Sequence, residues 1–139
     1  MSLTISKVCQ GIAPSVTLGL NAKVQKLRAS GVDVIGLGAG EPDFDTPAHI
    51  RAAAARAMEE GKTRYTDASG MPALRDALAD FLWKDKGLQY ARNEIIVSTG
   101  AKQAILGALQ AILDPGDEVL LPAPCWVSYP EMVRMAGGV

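Results

Sequence analysis

Five stretches of the chain carry apolar residues at spacings of three and four, a pattern typical of amphipathic helices. Glycine or proline marks several of their ends, with Pro47 and Pro72 at helix starts and Gly61 and Gly87 at helix stops. The hydroxyl of Thr46 is expected to cap the helix that begins at Pro47. The pattern predicts helices over residues 17–29, 47–60, 72–86, 101–113 and about 127–136.

Three shorter apolar runs lack the helical spacing and predict β-strands over residues 34–37, 94–98 and 118–121. A helix and the turn at 114–117 lie between the last two runs, which predicts a βαβ unit with parallel strands. Residues 137–139 lead toward another strand. A doubly wound sheet has about five or six strands, so we expect an incomplete α/β domain.

Composition and charge favour a small-molecule site. The chain has 139 residues, of which 48% are hydrophobic, and this is enough for one core that buries about 68% of the unfolded surface. The 14 basic and 15 acidic side chains give a net charge of −1 without a long run of either sign. We therefore expect neither nucleic acid nor a membrane as a partner.

The sequence also predicts a soluble, unexported protein of the reducing cytoplasm. No stretch approaches the roughly 18 apolar residues of a membrane span, and the N-terminus has no continuous apolar segment. Cys9 and Cys125 have no CxxC spacing, and His49 has no carboxylate or cysteine at metal-ligand spacing, so we expect no disulfide framework and no metal site. Asp43 and Asp45 are expected to form turns or caps rather than an acid/base pair.

The most mechanistic local feature is the segment Ser98–Gln103, where a predicted strand turns through Gly100 into a helix. The N-terminus of a helix presents unpaired N–H groups and suits an anion. The hydroxyls of Ser98 and Thr99 and the charge of Lys102 would add to a phosphate site. The same residues also fit an ordinary capped turn with a solvated lysine, because they match no phosphate-binding fingerprint.

Three other residues are candidate ligand contacts. Trp126 follows the run 118–121 at the end where open α/β sheets bind ligands, so its indole could stack on a flat ring or fill a gap in the core. Gly40 could bring a bare backbone N–H close to a carboxylate, or serve only as a turn. The Tyr65 phenol could reach a phosphate, or be an ordinary exposed loop tyrosine.

Taken together, the segments resemble the prokaryotic subgroup of aspartate aminotransferases, within the fold type I pyridoxal-phosphate enzymes. The resemblance runs along the whole chain, and its motifs occur in the family's order. They are Pro14–Thr17, Asn21–Lys23, Gly40–Pro47, Gly61–Tyr65, Gly100–Ala104, Asp114–Val119 and Trp126–Met132.

The resemblance implies a cofactor, pyridoxal 5′-phosphate, and the residues that contact it. Gly100, Ala101 and Lys102 would form the turn that holds its phosphate, and Trp126 would stack on its pyridine ring. The position of Tyr65 reaches the phosphate of the neighbouring subunit in this family. Tyr65 therefore implies a homodimer with shared active sites.

The substrates implied by the resemblance are an amino acid and a 2-oxo acid. Gly40 would contact the α-carboxylate of the substrate, beside Trp126. Thr17 and Lys102 match positions associated with acidic substrates in this subgroup. These residues favour aspartate and glutamate, with prephenate-type substrates as an alternative.

The implied fold is α/β, the N-terminal portion of the fold type I transferase fold with its three-layer αβα large domain. Residues 1–48 would form the N-terminal arm and the start of the smaller domain, and residues 49–139 the first part of the large domain. The family's Schiff-base lysine, its pyridinium aspartate and its carboxylate-binding arginine would all lie downstream of Val139. We therefore expect no catalytic residue in this chain, and no transamination by the chain alone.

Other functions fit the same residues. The chain could belong to an aromatic or prephenate aminotransferase, or to a lyase that uses the same cofactor and fold. It could also be a non-catalytic module that keeps a phosphate-binding turn. Affinity for pyridoxal phosphate or inorganic phosphate without turnover would favour the module.

Overall fold

The computed structural model describes residues 3–38 and 40–139, and over these ranges the chain is helical. A 3₁₀ turn at Arg92–Glu94 lies between the fourth and fifth helices. The α-helices are α1 (Lys7–Gln10), α2 (Val16–Ala29), α3 (Ala48–Glu59), α4 (Pro72–Lys86), α5 (Gly100–Ile112) and α6 (Ser128–Met135).

The five predicted helices are confirmed, with ends that differ from the prediction by at most one residue; the short α1 was not predicted. Gly87 ends α4 as expected, in the left-handed conformation with φ +66°. The start of α3 differs from the prediction, because Pro47 occupies the N-cap position and no side chain caps the helix there. The hydroxyl of Thr46 is therefore not the cap.

The predicted strands at 34–37, 94–98 and 118–121 were wrong as regular elements: the described residues contain no assigned β-strand. Within residues 3–38 and 40–139, parallel pairing begins between residues 117–119 and Val139. Val119 N–H donates to the Val139 carbonyl and Val139 N–H donates to the Asp117 carbonyl, each at 2.8 Å. This alternation is that of a parallel ladder. Among the described residues the other two apolar runs form no ladder, although Val97 N–H in the run 94–98 donates to the Ser69 carbonyl.

The chain divides into two compact units, which are described separately below. The terminal unit comprises residues 1–41 and 105–139, and the central unit comprises residues 42–104.

The core of the terminal unit lies on α6. Met132 and Val133 are buried, and Gly138 lies so close that a Cβ there would be 2.9 Å from Val133 Cγ1. The Glu131 carboxylate joins this helix to the N-terminal segment, since it accepts a hydrogen bond from Ala13 N–H at 3.2 Å. Glu131 also pairs with Arg134 at 2.6 Å. Packing and hydrogen bonding thus both fix α6 within this unit.

Contacts between a glycine turn and the segment before α5 organise the central unit. Gly70 has φ +99°, and a Cβ added to it would lie 2.8 Å from Val97 Cβ. Both its conformation and the space require glycine at this position. The carbonyl of Ser69 accepts a hydrogen bond from Val97 N–H at 3.0 Å.

The apolar stripes that the sequence predicts as buried are largely exposed. Ile50 and Met58 on α3 are 49% and 63% exposed, and Phe81 on α4 is 55% exposed. The chain leaves 11852 Å² accessible to solvent, against about 7,000 Å² for a compact monomer of this size. No described element covers these faces. The helices are therefore present although few apolar side chains are buried.

Because Val133 is 4% exposed, Val133→Ala is expected to lower the free energy of unfolding by about 2 kcal/mol through the lost contacts and the cavity left behind. Val127→Ala is the control, since Val127 is 47% exposed. Its effect should stay below about 0.5 kcal/mol. Urea unfolding followed by Trp126 fluorescence in a Trp83→Phe background measures both variants. Equal effects would contradict the assignment of the core.

Candidate functional site

The chain makes a sharp turn into α5 at the segment predicted to bind phosphate. Gly100 is the first residue of α5 and has φ +81°, a conformation that favours glycine. Gly100 N–H donates to the Ser98 carbonyl at 2.8 Å, and Thr99 N–H donates to the Gln103 side-chain oxygen at 2.5 Å. The side chain of Gln103 thus caps the turn from within the helix.

This turn has the chemistry that a phosphate group requires. The first N–H groups of an α-helix have no acceptor within the helix and carry the positive end of its dipole. Gly100, Ala101 and Lys102 are exposed. The first turn of α5 holds no acidic residue that would repel an anion. The residues present therefore fit a phosphate monoester, with Lys102 as an additional cation.

Trp126 lies before α6 and contacts an aromatic partner that the sequence did not single out. Its ring centroid is 5.5 Å from that of Tyr129, and the two rings are nearly perpendicular at 83°. This edge-to-face contact orients the indole. Because Trp126 remains 42% exposed, part of the ring is accessible for stacking.

The remaining predicted contacts are placed as follows. Thr17 lies in the first turn of α2 and is partly buried, whereas Gly40 is exposed, with nothing within 4 Å of a Cβ added to it. Tyr65 is fully exposed in the loop between α3 and α4. Thr17, Gly40 and Trp126 belong to the terminal unit, and Tyr65 and the turn at 100–102 to the central unit.

Sequence reasoning missed a cluster of charges on α4. The sequence pattern predicted a buried face of Leu74, Ala77, Leu78, Phe81 and Leu82, but Leu74, Ala77 and Phe81 are exposed and Arg75 is buried. Leu78 and Leu82 follow Arg75 at spacings of three and seven and are partly buried with it. Leu78 and Leu82 were predicted to face inward, and Arg75 was missed because an arginine is rarely buried.

Asp76 and Arg92 form a two-pronged ion pair next to Arg75. Arg92 donates from Nε to Asp76 Oδ1 at 2.6 Å and from Nη2 to Oδ2 at 2.5 Å. The hydrogen bonds from Arg92 lower the pKa of the Asp76 carboxyl, desolvation opposes this, and the charges of Arg92 and Arg75 lower it further. The same hydrogen bonds raise the pKa of Arg92. The pair links α4 to the 3₁₀ turn.

Over the described ranges, no helix is both long and apolar enough to cross a membrane.

Asp76→Asn should remove an acid-sensitive part of the stability. A lowered carboxyl pKa in the folded state stabilises the fold above the ordinary value of about 3.9, and this contribution is lost as the pH falls through the folded value. The urea midpoint of Asp76→Asn should therefore lie below wild type at pH 7, with the gap closing below about pH 4. Asp80→Asn, on the same helix, is the control. A difference in urea midpoint between Asp76→Asn and wild type that is constant with pH would contradict the lowered pKa of Asp76.

Gly100→Ala should destabilise the chain by about 1–2 kcal/mol, because an L-residue is strained at a φ of +81°. Gly107→Ala is the matched control within α5. Neither glycine has an atom within 4 Å of an added Cβ, so only the backbone conformation distinguishes them. Gly107→Ala should stabilise by about 0.5–1 kcal/mol. Urea unfolding measures the change in the free energy of unfolding for both variants. Changes of the same sign would contradict the turn geometry.

Comparison with known proteins gives one consistent family. The profile described as aminotransferase class I and II matches residues 32–139. The aspartate/prephenate aminotransferase of Thermus thermophilus is 53% identical over 135 residues, which is 97% of this chain and 35% of the relative. The aspartate aminotransferase of Bacillus subtilis is 49% identical over 136 residues, with shares of 98% and 35%. The chain thus spans about a third of the length of the curated relatives it matches.

Solved structures that resemble this chain are also aminotransferases. The structure of Thermus thermophilus aspartate aminotransferase with maleate superimposes with a TM-score of 0.95 at 52% identity, covering 99% of this chain and 36% of that chain. The alanine aminotransferase of Pyrococcus furiosus gives a TM-score of 0.91 at 29% identity, covering 98% and 35%. This likeness confirms the predicted α/β fold class, that of the fold type I aminotransferases, of which the described residues form part.

Proposed function

The chain belongs to the class I and II aminotransferases, and from that premise we propose that it is part of an enzyme that moves an amino group from L-aspartate to 2-oxoglutarate. The cofactor of the proposed enzyme is pyridoxal 5′-phosphate. The observation that carries the proposal is the turn into α5, where an exposed helix N-terminus and a nearby cation suit a phosphate group.

The residues of this chain would hold and orient the cofactor. The turn Gly100–Lys102 would bind its phosphate through N–H groups other than that of Gly100, which donates to the Ser98 carbonyl. The Trp126 indole, held by Tyr129, would stack on the cofactor ring. Tyr65 would reach the phosphate of a neighbouring subunit. Its full exposure in the chain as described supports a role at such an interface, and hence a homodimer.

The substrate contacts that we assign to this chain are few and polar. Gly40 would present its backbone N–H to the α-carboxylate; it is exposed and has no side chain of its own to stand in the way. Thr17 and Lys102 would favour a substrate with a second carboxylate, and Trp126 would border the same substrate. The names of the relatives include both aspartate and prephenate, so prephenate is the alternative acidic substrate.

When bound, the cofactor supplies an electron sink for the loss of the substrate's α-proton. The contribution of this chain is to bind the phosphate, align the ring and select the carboxylates. We assign it no residue that transfers a proton or binds the cofactor covalently. In the proposed enzyme, the lysine, aspartate and arginine for those tasks come from sequence beyond the 139 residues.

The division of the proposed enzyme follows the resemblance. Residues 1–48 would be the N-terminal arm and the start of the smaller domain, and residues 49–139 the first part of the large cofactor-binding domain. We place the enzyme in the cytoplasm, acting on small molecules and assembled as a homodimer.

The complete enzyme is expected to convert aspartate and 2-oxoglutarate when pyridoxal phosphate is present, whereas the 139-residue chain alone should show no turnover. Intact mass after treatment with pyridoxal phosphate and borohydride gives an independent measure. The isolated chain should keep its unmodified mass, because none of its lysines is assigned to the covalent site. A single stoichiometric adduct on the isolated chain would contradict this assignment.

Activity and binding assays on the complete protein separate the competing functions. Turnover of an aromatic amino acid or prephenate in preference to aspartate would favour the alternative substrates. Release of ammonia without transfer to an oxo acid would favour a lyase, and binding of the cofactor by the complete protein without any turnover would favour a binding module.

A further inference from the structure

Arg75 is the buried charged side chain of the described residues, with 9% exposure inside the central unit. Removing a guanidinium from water is costly, and an apolar side chain of similar size often serves stability as well or better. The cost is only partly offset here, because Arg75 Nε is buried and has no hydrogen-bond partner among the described residues. Stability alone therefore does not explain an arginine at this position.

The two contacts of Arg75 join different parts of the central unit. Its Nη2 lies 3.6 Å from Asp67 Oδ2, and its Nη1 donates to the Arg92 carbonyl at 3.3 Å. Asp67 belongs to the Tyr65 loop, which we define as residues 61–70. Arg92 begins the segment that leads to the turn at 100–102. Arg75 thus bridges the loop and the segment before the phosphate turn.

A second set of bonds holds the same two parts together. Gly70 N–H donates to the Asp67 carbonyl at 2.9 Å and closes the end of the Tyr65 loop. The neighbouring Ser69 carbonyl accepts from Val97 N–H, three residues before Gly100. The loop and the turn therefore have a defined arrangement, and Arg75 holds the side of the loop nearer to Tyr65.

We propose that Arg75 is a positioning residue for the cofactor phosphate, because it fixes the Tyr65 loop through Asp67 and the approach to the phosphate turn through the Arg92 carbonyl. In a homodimer it would serve two sites: its own through the turn, and the neighbour's through Tyr65. The inference rests on the proposed function, which assigns Tyr65 and the turn to a phosphate.

The test measures binding of two probes to the complete apoenzyme, pyridoxal 5′-phosphate and pyridoxal, which lacks the phosphate. Arg75→Met and Asp67→Asn should weaken the first probe about tenfold, the scale of a charge-assisted hydrogen bond, and leave the second within about twofold. Asp67 is exposed, so Asp67→Asn retains the fold even if Arg75→Met does not. Arg51→Met is the matched control, since it removes an exposed arginine of the same unit whose Nη1 is 3.9 Å from Asp45.

Amide hydrogen exchange supplies the structural readout. Exchange should quicken within residues 61–70 in Arg75→Met and Asp67→Asn, and α3 should keep its wild-type rates. Equal weakening of both probes would show a general structural role and overturn the inference. Unchanged binding of both probes in Asp67→Asn and Arg75→Met would also overturn it.

Tyr65→Phe separates this inference from the proposed function. Selective loss of pyridoxal phosphate affinity in Tyr65→Phe, without loss in Arg75→Met and Asp67→Asn, would overturn the role of Arg75 alone. An unchanged affinity in Tyr65→Phe would overturn both the assignment of Tyr65 and the inference built on it. The expected result is selective loss in all three variants, with the combination of Tyr65→Phe and Arg75→Met adding little to either change.

Discussion

The backbone N–H and C=O groups of an extended segment need a neighbouring segment to bond with, whereas those of a helix bond within the helix. Most of this structure follows from that difference. The helices from α2 to α6 form because their backbone hydrogen bonds join residues of the same segment. The apolar runs at 34–37 and 94–98 stay irregular, and in the described part of the chain a parallel ladder begins between residues 117–119 and Val139. The exposed apolar faces have the same origin, since helices of an α/β fold bury their apolar sides against a sheet.

The candidate phosphate turn depends on local geometry and therefore forms without the sheet. Gly100 supplies the positive φ, and the Gln103 side chain holds the Thr99 N–H. The helix that follows directs its first N–H groups outward. A site of this kind is encoded within six residues, which explains why it could be located from the sequence. The assignment of a cofactor to it needed the resemblance, because a glycine turn before a helix is common.

The contacts that the sequence did not reveal are those between distant segments. Arg75 on α4 reads as a surface residue until its burial against Asp67 and the Arg92 carbonyl is seen. The bond between Ala13 N–H and Glu131 spans 118 positions, and no local pattern signals it. Tyr129 contacts Trp126 three residues away, but aromatic spacing alone does not distinguish an edge-to-face pair from independent rings. Helices and turns were thus predictable, and the orientation of helix faces was not.

The central claim is that the turn into α5 holds the phosphate of pyridoxal 5′-phosphate. A crystal structure of the complete enzyme with this cofactor tests the claim most directly. The account predicts phosphate oxygens about 2.9 Å from backbone nitrogens within Gly100–Lys102. A phosphate bound elsewhere, with that turn facing only solvent, would contradict it.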